Sequence, residues 1–252
     1  AILMGVAEVL ASVKNDIAGT VKFIFQPAEE GIYNSDAPFG ANAMVLAGVL
    51  ENPKVEAIFG LHINSQTEVG KIRYRPGATM AAVDDLSIKL KGVQTHGAAP
   101  WSGVDPIVTA AQIVMGLQTI VSRNVDITQN PAIVTVGGIH GGIRNNIIPE
   151  SLDMIGTIRT FGKEQQTLVH KRINEISTNI AESAGAKADV KIRIGYPVTY
   201  NDPKLTDRMI PSLESLAGKE NVILSPAMTG AEDFSFFQEK VPGLFIFLGG
   251  MP

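Results

Sequence analysis

Glu29 and Glu30 stand side by side at the end of an apolar run, Val21-Lys22-Phe23-Ile24-Phe25-Gln26-Pro27-Ala28-Glu29-Glu30-Gly31. Proline cannot donate to a sheet ladder, so a strand over 21–25 is expected to stop at Pro27 and leave both carboxylates at its C-terminal mouth. The unbroken apolar Phe23-Ile24-Phe25 suits a strand covered on both faces. Successive residues of an extended chain point to opposite sides, which leaves one glutamate to hold a metal and the other to move a proton. A second run, Val55-Glu56-Ala57-Ile58-Phe59-Gly60-Leu61, ends in His62. In open α/β sheets ligands collect outside the carboxyl ends of the strands, which makes Glu29, Glu30 and His62 candidates for one site. A carboxylate and an imidazole together suit zinc or a related divalent ion, whose catalytic sites need about three or four ligands. The plainer readings are a solvated acidic pair capping the next helix and a structural histidine.

Composition narrows the classes. The 252 residues carry 21 Lys and Arg against 25 Asp and Glu, a formal net charge of −4, with no basic run, which argues against nucleic acid or an anionic membrane as partner. Cysteine is absent, so thiolate ligands, thiol nucleophiles and disulfides are excluded within these residues. No stretch approaches the roughly 20 apolar residues of a membrane span. The N-terminus lacks the basic flank and cleavage site of a signal peptide, which makes a cytoplasmic location the default expectation. Ala1-Ile2-Leu3-Met4-Gly5-Val6-Ala7 opens without a helix cap, and the core-type strand Gly243–Gly249 lies close to the other end. A piece of a longer chain is expected.

The elements that must position these residues come in two styles. Residues 1–16 have helical apolar spacing, 32–40 read as a loop, 41–50 as a short helix and 55–61 as a strand. Strands joined through helices imply βαβ units and a doubly wound, mostly parallel α/β sheet. From about Gly77 the pattern changes. Alternating strands at 85–90, 131–139, 151–161 and 190–194 are interleaved with helices at 105–123 and 163–184, the order βαββαβ of a ferredoxin-like unit. The first style then returns, with helices at 204–217 and 232–239 and strands at 221–224 and 243–248. The expected domains are therefore 1–80 with 197–252, and an inserted 81–196. On these elements His140 beside two glycine pairs has a weaker claim to function than His96, and His170 falls on a polar helix face as a surface residue.

Six stretches occur in order: Phe25-Gln26-Pro27-Ala28-Glu29-Glu30-Gly31, Gly60-Leu61-His62, Thr95-His96-Gly97-Ala98-Ala99-Pro100-Trp101, Asn145-Asn146-Ile147-Ile148-Pro149, Gly156-Thr157-Ile158-Arg159-Thr160 and Thr229-Gly230-Ala231-Glu232-Asp233-Phe234. This succession resembles the metallo-amidohydrolases that include aminoacylases, hippurate hydrolases and auxin-conjugate (IAA-amino acid) hydrolases. The resemblance implies a catalytic α/β domain with an inserted lid and dimerisation domain, acting as a homodimer. It implies hydrolysis of N-acyl amino acids with a divalent metal, two ions per site, of Zn, Mn, Co or Ni. Glu29 matches the general base, and Glu30 and His62 match metal ligands. His96 matches the lid histidine that polarises the scissile carbonyl. Asn145, Asn146 and Arg159 match residues that hold the substrate, Arg159 being equally readable as a salt-bridge partner on a strand face. The segment carrying Thr229, Gly230, Glu232 and Asp233 matches one that lines the site. The family's upstream Cys-Gly-His-Asp-type motif and its last histidine ligand are absent from these residues. That keeps open a catalytically incompetent fragment beside the active enzyme, and a dipeptide or ester substrate beside the N-acyl amino acid.

Overall fold

The computed structural model of the chain describes residues 2–31 and 37–251. It begins with α1 (Ile2–Ser12), α2 (Gly40–Leu46), β1 (Ile58–Glu68), β2 (Ile72–Tyr74) and β3 (Gly77–Met80). A middle stretch supplies β4 (Ala82–Lys91), β5 (Thr95–His96), α3 (Pro106–Thr119), β6 (Ala132–Gly141), β7 (Ile147–Ile148), β8 (Ser151–Thr160), α4 (Lys163–Ser183) and β9 (Lys187–Ile194). The chain continues through β10 (Thr199–Asn201), α5 (Pro203–Ala217), β11 (Val222–Leu224), α6 (Ser235–Gln238) and β12 (Gly243–Met251). Two compact units result, one of Ala1–Thr79, Thr199–Pro226 and Glu232–Pro252, the other of Met80–Val198 and Ala227–Ala231.

The first unit holds a sheet in the order β1-β12-β2-β11. Strand β1 runs parallel to β12 from Ile58↔Gly243 to Asn64↔Gly249, and β2 runs parallel to β11. Strands β12 and β2 are antiparallel, so the sheet is mostly parallel, as expected, with one antiparallel pairing at its centre. The reversal has a local cause. Gly70 sits at φ +89, a region that costs a side-chain-bearing residue about 1–2 kcal/mol, and the Lys71 N–H returns to the Glu68 carbonyl at 3.2 Å. Phe234 and Phe237 pack against Phe245 and Phe247 of β12, with the Phe234 and Phe245 ring centroids 5.0 Å apart. The fully buried Asn201 bridges its neighbours, donating to the Arg75 and Phe245 carbonyls, each at 2.9 Å, and accepting the Phe245 N–H at 2.7 Å.

Three expectations fail in this unit. Residues 21–28 carry no ladder assignment among the described residues, and Phe25 is 58% exposed rather than covered on both faces. The segment is tied in through its own side chains instead, Lys22 Nζ donating to the Glu51 carbonyl at 2.7 Å. His62 lies within β1 rather than at its end, because pairing with β12 carries the strand on past it. The helix expected over 232–239 shrinks to α6, which leaves Glu232 and Asp233 before it. Part of the 32–40 loop, residues 32–36, lies outside the described residues.

In the second unit, β4 pairs antiparallel with β8 (Ala82↔Thr160 to Lys91↔Ser151) and with β9, and β8 pairs with β6, giving the order β6-β8-β4-β9. Alternation decides the faces. Leu86, Ile88 and Leu90 of β4 and Leu152, Met154 and Ile158 of β8 join Ile113 and Leu117 of α3 and Val169 and Ile173 of α4 in one core. Asp105 caps α3, accepting the Ile107 N–H at 2.8 Å ahead of Pro106 at the first turn. His170 is not the surface residue expected of a polar helix face. Its Nε2 lies 2.7 Å from Oδ2 of Asp84, which is fully buried. The periodicity of α4 misses this because the contact faces a strand 86 residues away.

Candidate active site

Glu29 and Glu30 occupy a turn, not a strand end. The Gly31 N–H returns to the Ala28 carbonyl at 3.1 Å, and Ala28 is held at φ +52. The turn sends the two carboxylates different ways: Glu29 is half-buried and Glu30 exposed. The two carboxylates thus diverge through a turn rather than through the alternation of a strand.

Glu29 meets the residues just before α6. One carboxylate oxygen each of Glu29, Glu232 and Asp233 lie within 4.8 Å of one another, and Glu232 and Asp233 are buried. Asp233 is held from two sides, by the Gln26 side-chain amide on Oδ1 and by the Ala41 N–H on Oδ2 at 2.8 Å. The Phe234 N–H donates to Glu232 Oε1 at 3.3 Å. Packing three acids together in a poorly solvated place disfavours their charged forms. Burial, then the Glu29 charge, pushes the Glu232 carboxyl up to about 8. Burial, then the Asp233 and Glu30 charges, raises Glu29, while the His62 imidazole and the Asp233 backbone N–H oppose the rise. Asp233 is raised by burial against the pull of its Ala41 and Gln26 donors. Such a cluster calls for protons or a cation. Its donors are hard carboxylate oxygens, the chemistry that divalent ions take.

His62 is exposed, and its Nδ1 lies 2.6 Å from the Ile63 carbonyl oxygen. A carbonyl only accepts, so Nδ1 carries the proton and the Nε2 lone pair is left for a ligand. This is the arrangement of metal-bound histidines, whose second ring nitrogen is fixed by a carbonyl or carboxylate. Glu30 and His62 lie outside the carboxylate group, whereas Glu232 and Asp233 lie in it. Sequence reading gave those two only a lining role. The signal for more was their setting, two adjacent acids between Ala231 and Phe234-Ser235-Phe236-Phe237, where a solvated pair is out of place.

The second unit brings other candidates together. Strands β5 and β7 pair His96 with Ile147, and the Gly97 N–H donates to the Asn146 carbonyl at 2.8 Å, so Asn146 borders the small ladder that holds His96. His96 is exposed, and its Nδ1 accepts the Ala98 N–H at 3.0 Å. Arg159 stands apart on β8, paired with Val83 and Ile133. Thr229 and Gly230 are exposed in the segment that the Ala81 N–H ties down through the Met228 and Gly230 carbonyls, at 3.1 and 3.0 Å.

Comparison with known proteins agrees with these motifs. N-acetylcysteine deacetylase of Bacillus subtilis (strain 168) is 36% identical over 247 residues, covering 98% of this chain and 62% of that protein. IAA-amino acid hydrolase ILR1-like 4 of Arabidopsis thaliana is 36% identical over 251 residues, covering 98% of this chain and 55% of that protein. The chain thus spans about three fifths of the length of these relatives. Among solved structures, a Bacillus subtilis protein described as a dinuclear metal-binding peptidase of the M20 family superposes with a TM-score of 0.79 at 34% identity, over 98% of this chain and 60% of that one. The family profile of peptidase family M20/M25/M40 matches residues 1–252, and the chain belongs to that family.

Proposed function

We propose that this chain is the body of a metal-dependent amidohydrolase that cleaves the amide of an N-acyl amino acid, releasing a carboxylate and a free amino acid. The observation that carries the reading is the half-buried Glu29 carboxylate gathered with buried Glu232 and Asp233. The names of the deacetylase and the IAA-amino acid hydrolase support the substrate class, since both describe an acyl group on an amino acid nitrogen. Glu30 and His62 are assigned as metal ligands from the family motif, His62 through Nε2. The dinuclear relative supports two divalent ions per site, of Zn, Mn, Co or Ni.

A bound divalent ion supplies a water acidified toward neutrality and positive charge for the oxygen that becomes negative in the transition state. Glu29 takes the proton as that water adds to the carbonyl carbon, then delivers it to the amine nitrogen as the C–N bond breaks. Burial and the neighbouring acids raise the Glu29 pKa, the direction that makes a carboxylate a stronger base. His96 is assigned to polarise the carbonyl, and Arg159 to pair with the free carboxylate of the substrate. Asn145, Asn146, Thr229 and Gly230 are assigned as further substrate contacts. The enzyme is proposed to act as a homodimer through the second unit, whose sheet ends in the edge strands β6 and β9.

The test is Glu29→Gln, with metal per chain and hydrolysis of an N-acyl amino acid measured on one sample. Metal content should hold while turnover falls by about 10²–10⁴-fold, the usual contribution of a general base. Turnover near that of the parent would remove Glu29 from the chemistry. A folded parent with neither metal nor turnover would instead favour a non-catalytic piece.

A further inference from the structure

We propose that Asp233 is a positioning residue for Glu29, an anchor that fixes the glutamate turn by tying together the chain on either side of it. The inference rests on the reading of Glu29 as base. Asp233 is completely buried and spends both carboxylate oxygens on neutral donors from separate segments. Oδ1 takes the side-chain amide of Gln26, three residues before Glu29, and Oδ2 takes the N–H of Ala41, twelve residues after it. The Asp233 backbone N–H donates to the Glu29 carboxylate itself. One residue thus holds the approach to the turn, the start of α2 beyond it, and the functional group between them.

The sequence gives way to seat this anchor. A Cβ at Gly40 would lie 2.0 Å from Asp233 Oδ2 and 3.3 Å from the Ala28 carbonyl, and Gly40 sits at φ +53. Position 40 is therefore without a side chain where the carboxylate meets α2, close to the Ala28 carbonyl that opens the glutamate turn. A carboxylate present for its charge alone needs no such clearance. Hydrogen bonds to a buried charged acceptor are also among the stronger ones in proteins, which suits a group that must hold a loop still.

The geometry separates anchor from charge by substitution. Asn at 233 can keep both contacts, its oxygen accepting the Ala41 N–H and its amide donating to the Gln26 carbonyl once that side-chain amide turns over. Ala keeps neither, and Gln26→Ala removes one at a half-buried site. With the metal-loaded full-length protein and an N-acyl amino acid, kcat should fall about 100-fold in Asp233→Ala and about tenfold in Gln26→Ala at little-changed KM, the scale of a slightly misplaced catalytic group. Asp233→Asn should lose clearly less than Asp233→Ala, about tenfold or under, because it can restore both contacts. Hydrogen exchange at the amides of residues 28–31 should quicken in the two alanine variants and not in Asp233→Asn. Loss in Asp233→Asn equal to that in Asp233→Ala would overturn the proposal in favour of a charge role. Unchanged exchange and kcat in Gln26→Ala would also overturn it. If Asp233→Ala fails to fold, Gln26→Ala and Asp233→Asn decide alone. Should the parent turn over no N-acyl amino acid, the functional reading fails while the exchange rates still judge the anchor.

Discussion

Each unit buries a carboxylate, and the two are treated in opposite ways. Asp84 in the second unit is fully buried and fully served. Gln166 Nε2 reaches both of its oxygens at 2.9 and 3.1 Å, His170 Nε2 reaches Oδ2 at 2.7 Å and the Gly195 N–H reaches Oδ1 at 3.3 Å. Glu232 in the first unit is almost as deep, yet it faces the Glu29 charge and the Asp233 carboxyl. With the latter it shares a side-chain hydrogen bond that favours its protonated form, and it takes the Phe234 N–H at 3.3 Å. Burial is common to both, so burial is not the mark of a site. The mark is burial left uncompensated, because an unserved buried acid must keep its proton or be joined by a cation. Structural carboxylates hold strands and helices together, as Asp84 does for β4, α4 and the turn after β9. A cluster that disfavours its own ionisation stores a demand that a ligand can meet.

The largest effect that could break this contrast is on pH. Glu232 titrates near 4.5 when unfolded and at about 8 when folded without metal, so between those values the native state binds the extra proton. Stability is then full below the unfolded value and falls as pH rises through about 8, by up to about 1.4 kcal/mol for each unit crossed. Glu29 and Asp233, also raised, act in the same sense. Chelator-treated protein unfolded in urea should lose stability steadily from pH 5 to about 8 and level off above it, and Glu232→Gln should flatten the curve. Added divalent metal should restore stability most at the alkaline end, because it binds the deprotonated carboxylates. A flat parent curve would place Glu232 on the same footing as Asp84.

How much of this was legible in the chain depends on the range of the interaction. The inserted order βαββαβ is readable because each element carries its own period, as in Leu86, Ile88 and Leu90 on one face of β4 and Val169 and Ile173 on one face of α4. Glu29 stands out locally because proline and glycine flank its turn. The strand ends expected at Glu29 and His62 do not fall there, since β1 is carried past His62 by its pairing with the distant β12. The partners are not readable. Gln26 and Asp233 stand 207 residues apart and His170 and Asp84 stand 86 apart, and no window of sequence joins them. The placing of β12 between β1 and β2 escapes for the same reason: the turn at Gly70 is local, but the strand that fills the gap, Gly243–Met251, comes from far along the chain.

A smaller effect sharpens the contrast from the backbone. Gly40→Ala adds a methyl 2.0 Å from Asp233 Oδ2 at φ +53, where nothing can yield without moving the carboxylate or the start of α2. Overpacking and the left-handed backbone together should cost about 3 kcal/mol in urea unfolding. Turnover should fall with it, since the displaced Asp233 no longer holds Glu29. Full activity with only stability lost would separate Gly40 from the site.

The smallest expected effect is at Asp84, and its value lies in what should stay constant. Asp84→Asn replaces one acceptor oxygen by a donor, yet neutral His170 can present Nε2 as an acceptor to that amide, and the other oxygen keeps Gly195 and one Gln166 contact. The loss should be about 1 kcal/mol in urea unfolding, the net worth of one hydrogen bond. Metal content, kcat and KM should all be unchanged, because every group Asp84 touches belongs to the framework of β4, α4 and the turn after β9. Asp84→Ala should cost more, about 2–3 kcal/mol, since it orphans Gln166 and His170 together, and it should still leave metal content alone. A change in metal content from either variant would mean that Asp84 has business beyond its own unit, and the line drawn between a served and an unserved carboxylate would have to be moved.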